Sequence, residues 1–268
     1  MGHGTTVFLY TTSLFVGMLL CLELGRRLGL RRLQEDSSAA TEGIGAVDGA
    51  VFAVLGLLIA FTFSGATARF DARRQLIVEE TNNIGTAYLR LDVLPAEAQP
   101  ALRENFKRYL DNRIETYRKV PDLDAVRASL ARGNELQLDI WRRAVAAVRT
   151  EGTVPGAPML VLPALNAMID ITTTRTMAAY LHPPRVVFVM LFGMALAASL
   201  LAGYGMTGGK LRSRFHMVGF AAVMAIAVFV ILDIEYPRLG WIRVDAFDQA
   251  LVDLRESMNR AATSPEKK

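Results

Sequence analysis

Long, mostly uncharged apolar runs alternate along this chain with segments rich in charge. A helix needs roughly 20 apolar residues to cross the hydrocarbon core of a bilayer, where every backbone polar group must be satisfied within the segment. Four runs meet this requirement, over about residues 7–24, 47–68, 186–206 and 217–236. The pattern predicts a multi-pass membrane protein with four spanning helices.

The first run differs from a cleaved signal peptide. No Lys or Arg precedes it, and its bases, which begin at Arg26 and Arg27, follow the apolar stretch. A signal peptide has the opposite order and ends at a small-residue cleavage site. We therefore expect the first run to be retained as a spanning helix.

The segment between the second and third runs has a helical pattern of its own. Apolar positions recur there at about 3.6-residue spacing, which is typical of amphipathic helices. We expect helices over residues 69–94 (continuing out of the second span), 97–119, 123–150 and 159–181, separated by proline and glycine residues. The sequence predicts an all-α, four-span membrane protein with a long helical insertion between spans two and three.

This interpretation divides the chain into four parts. Residues 1–68 form the first transmembrane pair, 69–184 a helical extramembrane domain, 185–236 the second transmembrane pair, and 237–268 a C-terminal amphipathic segment and tail.

Composition supports a membrane protein and excludes several other classes. Hydrophobic residues make up 52% of the chain and charged residues 21%. Between residues 69 and 184, 16 Lys and Arg face 14 Asp and Glu, which indicates a solvated helical surface and no nucleic-acid module. The bilayer is the expected partner.

Candidate chemistry is sparse. Cys21 is the only cysteine, and the three histidines are too far apart in sequence for a typical zinc site. Residues 203–210 look like a phosphate-binding loop, but the glycine spacing is wrong and Leu211 replaces the hydroxyl residue that would hold magnesium. We expect no catalytic site, no cofactor and no metal, and therefore no enzyme.

Charge near the spans gives the orientation. Seven Lys and Arg residues lie near the span ends on each side of the membrane, but the N-terminal flank of the first span carries none. Because cytoplasmic flanks are enriched in Lys and Arg, this difference favours an outside N-terminus and an extracytoplasmic helical domain.

Small residues recur on particular faces of the spans. Span two has the stripe Gly49, Ala53, Gly56, Ala60 and Ser64; Gly193 and Ala197 recur in span three, and Gly219, Ala222 and Ala225 in span four. Such stripes let helix backbones approach closely in lipid. Packing within one bundle is the favoured interpretation, and contact between subunits is the alternative.

Acidic residues at the membrane boundary are candidates for an ion pathway. Glu23, Asp233 and Glu235 lie at span ends, where pairing with a base such as Arg238 is the favoured interpretation. The helix leaving span two carries a charged set: Arg69, Asp71, Arg73, Arg74 and Glu80. A solvated helix with an Asp71–Arg74 pair is favoured for this set, and a charged vestibule beneath a pore is the alternative.

Two blocks of sequence resemble a known family. One runs from GLLIAFTFS at residues 56–64 through RFDARR at 69–74 to Pro95, and the other is LDIEYPRLGWIRV at 232–244, with Asp233, Pro237 and Gly240. Together they are similar to the bestrophin-like family of bacterial membrane proteins. The resemblance implies a bacterial inner-membrane location and a remote likeness to bestrophins, which are pentameric anion channels with four spans and a large helical insertion.

The resemblance also implies site residues. Bestrophins have a hydrophobic neck on span two, which would correspond here to Phe52, Leu55, Ile59 and Phe63. A lipid-facing or core-facing stripe explains the same four residues and is favoured.

Two features depart from bestrophins. Their clustered acidic calcium clasp is absent, because Asp245, Asp248, Asp253 and Glu256 are spread along the chain. Their large domain is cytosolic, which opposes the charge-based orientation.

The leading hypothesis for function is a homo-oligomeric channel for small anions, pentameric if it is bestrophin-like. The alternative is a non-conducting membrane sensor or scaffold whose helical domain binds a partner.

Overall fold

A computed structural model describes residues 3–35, 44–206 and 212–263, and these ranges contain helices and no strand. The α-helices are α1 (His3–Glu35), α2 (Ile44–Leu89), α3 (Gln99–Arg118), α4 (Leu123–Val148), α5 (Ala157–Tyr180), α6 (Arg185–Gly205), α7 (Arg212–Glu235) and α8 (Gln249–Thr263). Short 3₁₀ helices cover Arg90–Val93 and Asp245–Asp248. The all-α prediction is confirmed. The end of the phosphate-loop-like run, Lys210 with it, and the C-terminal tail lie outside the described residues.

Four helical segments are long and apolar enough to cross a membrane: Gly4–Gln34, Gly45–Val93, Ala157–Gly205 and Arg214–Glu235. This confirms the prediction of four spans, and the chain is a multi-pass membrane protein. The predicted continuation of span two is also confirmed. Helix α2 has 46 residues and is therefore about 69 Å long, more than twice the roughly 30 Å of a hydrocarbon core.

The chain divides into two compact units. The first comprises Met1–Arg69 and His182–Ile242, and the second comprises Phe70–Leu181 and Arg243–Lys268. The first unit therefore contains the four apolar runs, and the second contains α3, α4, α5 and α8.

Close backbone contact joins α1 to α6 in the first unit. A Cβ atom on Gly25 would lie 2.0 Å from the carbonyl oxygen of Leu200, and one on Gly203 would lie 2.0 Å from that of Leu22. Only glycine fits at such distances. The sequence pattern predicts helix contact at Gly193 and Ala197 on α6, but both residues are exposed. The contact with α1 lies on a different side of α6, which includes Gly203.

The second unit has a continuous apolar core. Tyr88 and Phe106, whose rings meet edge to face, belong to this core, and α4 and α5 contribute residues such as Ile140 and Leu165. Helix α8 buries Leu251 in the same core, so the predicted C-terminal amphipathic segment packs within this unit.

Local signals account for the helix boundaries of the insertion. Asp122 caps α4, because its carboxylate accepts a hydrogen bond from the backbone N–H of Ala125 at 3.0 Å. The sequence placed the insertion helices within a few residues of their observed ends. The main difference is at Leu89, where α2 gives way to the 3₁₀ turn before Pro95.

The contact between α1 and α6 yields a stability prediction. We expect Gly203→Ala to lower the free energy of unfolding by at least about 1–3 kcal/mol, because the new methyl group must displace the backbone of α1. Thermal unfolding in detergent measures the effect. Gly219→Ala is the control, since no atom lies within 4 Å of its Cβ position. Equal melting temperatures for the two variants would contradict the prediction.

Candidate functional site

The small-residue stripe of α2 faces away from the rest of the chain. Gly49, Ala53, Gly56, Ala60 and Ser64 are all exposed, and no atom lies within 4 Å of a Cβ position on Gly49 or Gly56. Only 11% of the spanning window of this helix is buried, against 28% in each of the other three. The favoured interpretation of the stripe, packing within one bundle, is therefore wrong for α2.

The four predicted neck residues do not share one exposure. Leu55 is buried by the chain itself, Phe52 meets Phe220 of α7 edge to face at 6.1 Å, Ile59 is half-buried, and Phe63 is 44% exposed. The row therefore starts against the bundle and ends at the surface. A pore lined by these four residues stays a prediction. Ile59 and Phe63 are the two that are better placed to face it, because Leu55 is buried and Phe52 contacts α7.

A buried carboxylate gathers the ends of three spans. Glu235, at the end of α7, is fully buried and accepts hydrogen bonds from Arg69 Nε and Nη2, the shorter at 2.7 Å. Its Oε1 also lies 3.0 Å from Nδ1 of His182, just before α6. The His182 ring stacks on Tyr236 with centroids 4.5 Å apart. The predicted pairing of Glu235 with a base is thus found, with Arg69 as a partner 166 positions away.

A partly open cavity of about 180 Å³ lies beside this pair. Its walls come from α2, α6 and α7 and are mainly apolar, while Thr62, Arg69 and Glu235 supply its polar groups. Gly65 lines the cavity, and Arg69 Nη1 lies 3.3 Å from the position its Cβ would take. A larger residue at position 65 would crowd the guanidinium, so the glycine leaves room for the Arg69 side chain.

The structure separates the predicted vestibule residues into different surroundings. Arg69 is held by Glu235, and Asp71 pairs with Arg74 at 3.0 Å as expected. Arg73 donates hydrogen bonds to the carbonyl oxygens of Ala178 and Leu181 at 3.2 and 2.9 Å. Arg74 lies 4.2 Å over the ring of Phe247. A vestibule built from these bases stays a prediction.

Glu80 is placed differently from the other vestibule candidates. It is fully buried in the second unit, where Arg113 Nε donates to it at 2.5 Å and Arg175 Nη1 also pairs with it. Arg175 reaches Asp248 at 3.0 Å with its other terminal nitrogen, Nη2. Two buried guanidiniums thus meet two carboxylates, which leaves the cluster neutral. The favoured interpretation of a solvated helix is therefore wrong for Glu80, which is salt-bridged but faces no solvent.

The aromatic ring of Tyr117 packs against this cluster. The guanidinium of Arg175 lies 3.7 Å over the ring of Tyr117. Burial acts to raise the pKa of the Glu80 carboxyl, but Arg113 and Arg175 overcome that effect and hold the pKa below its usual range. Glu80 is therefore ionised at neutral pH.

The closing motif forms a fixed turn after α7. The carboxylate of Asp233 accepts hydrogen bonds from the backbone N–H of Trp241 at 3.0 Å and of Ile242 at 2.8 Å. A Cβ on Gly240 would lie 2.3 Å from Asp233 Oδ1, so this position requires glycine. Pro237 is buried within the turn. The three motif residues thus act together in a structural feature.

A family model of the bestrophin-like domain matches residues 13–246, which is most of the chain. The chain belongs to the bestrophin-like family. No curated protein matches it.

Crystal structures of bacterial bestrophins have the same fold. A tryptophan-to-alanine variant of the bestrophin homologue from Klebsiella pneumoniae aligns with a TM-score of 0.69 at 15% identity, covering 92% of this chain and 98% of that one. A tyrosine-to-alanine variant gives 0.67 at 14% identity, covering 89% and 98%. At such low identity the likeness shows the fold alone.

Within the described ranges of this bestrophin-like chain, no group of three or more His, Cys, Asp and Glu side chains is placed to hold a metal ion. The acidic residues of the C-terminal segment have other contacts. Asp248 pairs with Arg175, Asp245 with Arg243 at 2.5 Å, and Asp253 accepts from Gln249.

The sequence analysis did not identify several of the residues that surround Glu235 and Glu80. Arg113 lies between Tyr109 and Tyr117 on the buried face of α3, and this position of a base was the available signal. His182 and Arg175 carried no such signal, because their partners are far away in sequence.

The Glu80 cluster predicts a local loss of stability on mutation. We expect Glu80→Gln to cost about 3–5 kcal/mol, because it leaves two buried guanidiniums with one carboxylate. Chemical unfolding followed by circular dichroism measures the cost. Glu79→Gln is the control, since Glu79 is exposed.

The same cluster sets a pH dependence. The folded-state pKa of Glu80 is lowered, so its contribution is complete above the ordinary glutamate value and is lost as the pH falls through the folded-state value. Glu80→Gln should therefore be less acid-sensitive than the parent protein. An unchanged acid-unfolding profile in the variant would contradict this.

Proposed function

We propose that this protein is a homo-oligomeric channel for small anions, in which α2 of each copy lines the central axis. The observation that carries the proposal is the exposed face of α2. That helix is the least buried of the four, and its outward face carries residues small enough for close helix contact. Further copies of the chain would cover that face.

The family supports the same assembly. Bestrophins are anion channels, and this chain has their fold over nearly its whole length. On this basis we propose a pentamer. Arg69, Arg73 and Arg74 lie within α2 just after span two, and a ring of such bases from several copies would attract anions.

Assembly is tested by a bulky substitution on the proposed contact face. We expect the parent protein to remain oligomeric in gentle detergent and Gly56→Leu to shift it toward monomer, because the side chain separates the helices. Native mass spectrometry measures the distribution. Gly219→Leu is the matched control, since both glycines are exposed with no atom within 4 Å of the Cβ position. A monomeric parent protein would refute the assembly.

Conduction is tested in reconstituted bilayers with chloride as the permeant ion. We expect Ile59→Ala with Phe63→Ala to change single-channel conductance or gating, because these side chains would narrow the axis. The control is a double variant with the same two substitutions on other spans, Ile226→Ala with Phe8→Ala. These side chains are 61% and 63% exposed. Oligomers that pass no current would support the non-conducting sensor or scaffold instead.

For orientation we propose an extracytoplasmic helical domain, supported by the uncharged N-terminal flank of the first span. Asp124, exposed at the start of α4, is a suitable labelling position, and Cys21 is the only native cysteine. We expect Asp124→Cys in a Cys21→Ser background to react with a membrane-impermeant maleimide in intact spheroplasts. Reaction only after permeabilisation would place the domain in the cytosol.

A further inference from the structure

The turn after α7 folds back along the helix that precedes it. The ring of Trp241 meets the ring of Phe229 edge to face, with centroids 5.6 Å apart and planes at 73°. Phe229 lies six residues before the end of α7, or about 9 Å along the helix axis. Trp241 therefore lies beside the final part of a membrane span, although it follows that span in sequence.

The turn is held in this position by short-range contacts. Asp233, in the last turn of α7, accepts hydrogen bonds from two successive backbone N–H groups, those of Trp241 and Ile242. Gly240 lies directly against the same carboxylate, which leaves no room for a side chain. The Trp241 side chain is thus carried on a fixed backbone.

Trp241 is nevertheless largely uncovered. Its side chain is 80% exposed, and the neighbouring Ile242 is 37% exposed. Within the chain, contact with Phe229 covers only part of the indole. A large aromatic surface at the end of a span is unfavourable in water, whereas the headgroup level of a bilayer accommodates both the apolar ring and its N–H group.

We infer that residues 236–242 form an interfacial anchor in which Trp241 inserts at the boundary between phospholipid headgroups and acyl chains. The occupant of this surface is lipid, because Trp241 lies level with residues of a spanning helix. The anchor fixes the depth of α7, and the motif residues Asp233 and Gly240 serve to aim it. This inference rests on the fold and does not depend on conduction.

Tryptophan fluorescence tests the anchor directly, because Trp141 and Trp241 are the only tryptophans. The full-length Trp141→Phe protein is reconstituted in phosphatidylcholine vesicles containing lipid brominated near the ester end of its chains. We expect the emission of Trp241 to be quenched several-fold more strongly than that of Trp141, measured in Trp241→Phe. Trp141 is half-buried in the helical insertion and provides the baseline.

Two outcomes would overturn the inference. Quenching no greater than that of Trp141, together with access to iodide, would place Trp241 in water. Equally weak quenching without iodide access would mean that another copy of the chain covers it. Gly240→Ala adds a second readout, since displacing the turn should reduce bromine quenching while the oligomer size stays unchanged.

Discussion

A carboxylate removed from water must be accompanied by cations, and the architecture of each unit depends on this constraint. In the first unit the carboxylate is Glu235, which is met by the Arg69 guanidinium, and the His182 ring also lies within hydrogen-bond distance of it. In the second unit it is Glu80, which is met by Arg113 and Arg175. Each acid binds partners that are distant from it in sequence. Because hydrogen bonds between charged groups are directional, each acid constrains the positions of the helices more closely than apolar packing alone would.

The helices of the first unit are not packed equally closely against one another, and this difference underlies the proposed function. Helices α1 and α6 touch backbone to backbone at Gly25 and Gly203. Helix α2 presents its own small residues outward instead. The bundle is thus well packed on one side and incomplete on the other. The proposed assembly would cover the exposed face of α2 with further copies of the chain, and this is how the fold would form a channel.

The two family-like blocks of sequence have separate physical roles. The block that includes Arg69 supplies a base for Glu235, while the block that includes Asp233 and Gly240 builds the turn that carries Trp241. Among the described residues of the two blocks, no group of His, Cys, Asp and Glu side chains is placed to hold a metal ion. Both act at the boundary between span and extramembrane chain, where backbone and charge must be satisfied as the surrounding medium changes.

The sequence by itself determined the elements of this protein. Hydrophobic runs of the length of a bilayer specify four spans, and 3.6-residue periodicity specifies the insertion helices, because both signals are local. It also specified the nearby Asp71–Arg74 pair. Tertiary structure alone decided which side of α2 is covered, that Leu55 is buried while Phe63 is exposed, and that Glu80 belongs to a buried cluster. Those outcomes depend on partners tens of residues away, such as Arg175 for Glu80 and Glu235 for Arg69. A periodic pattern shows that a helix has an apolar face, but it does not specify which other helix packs against that face.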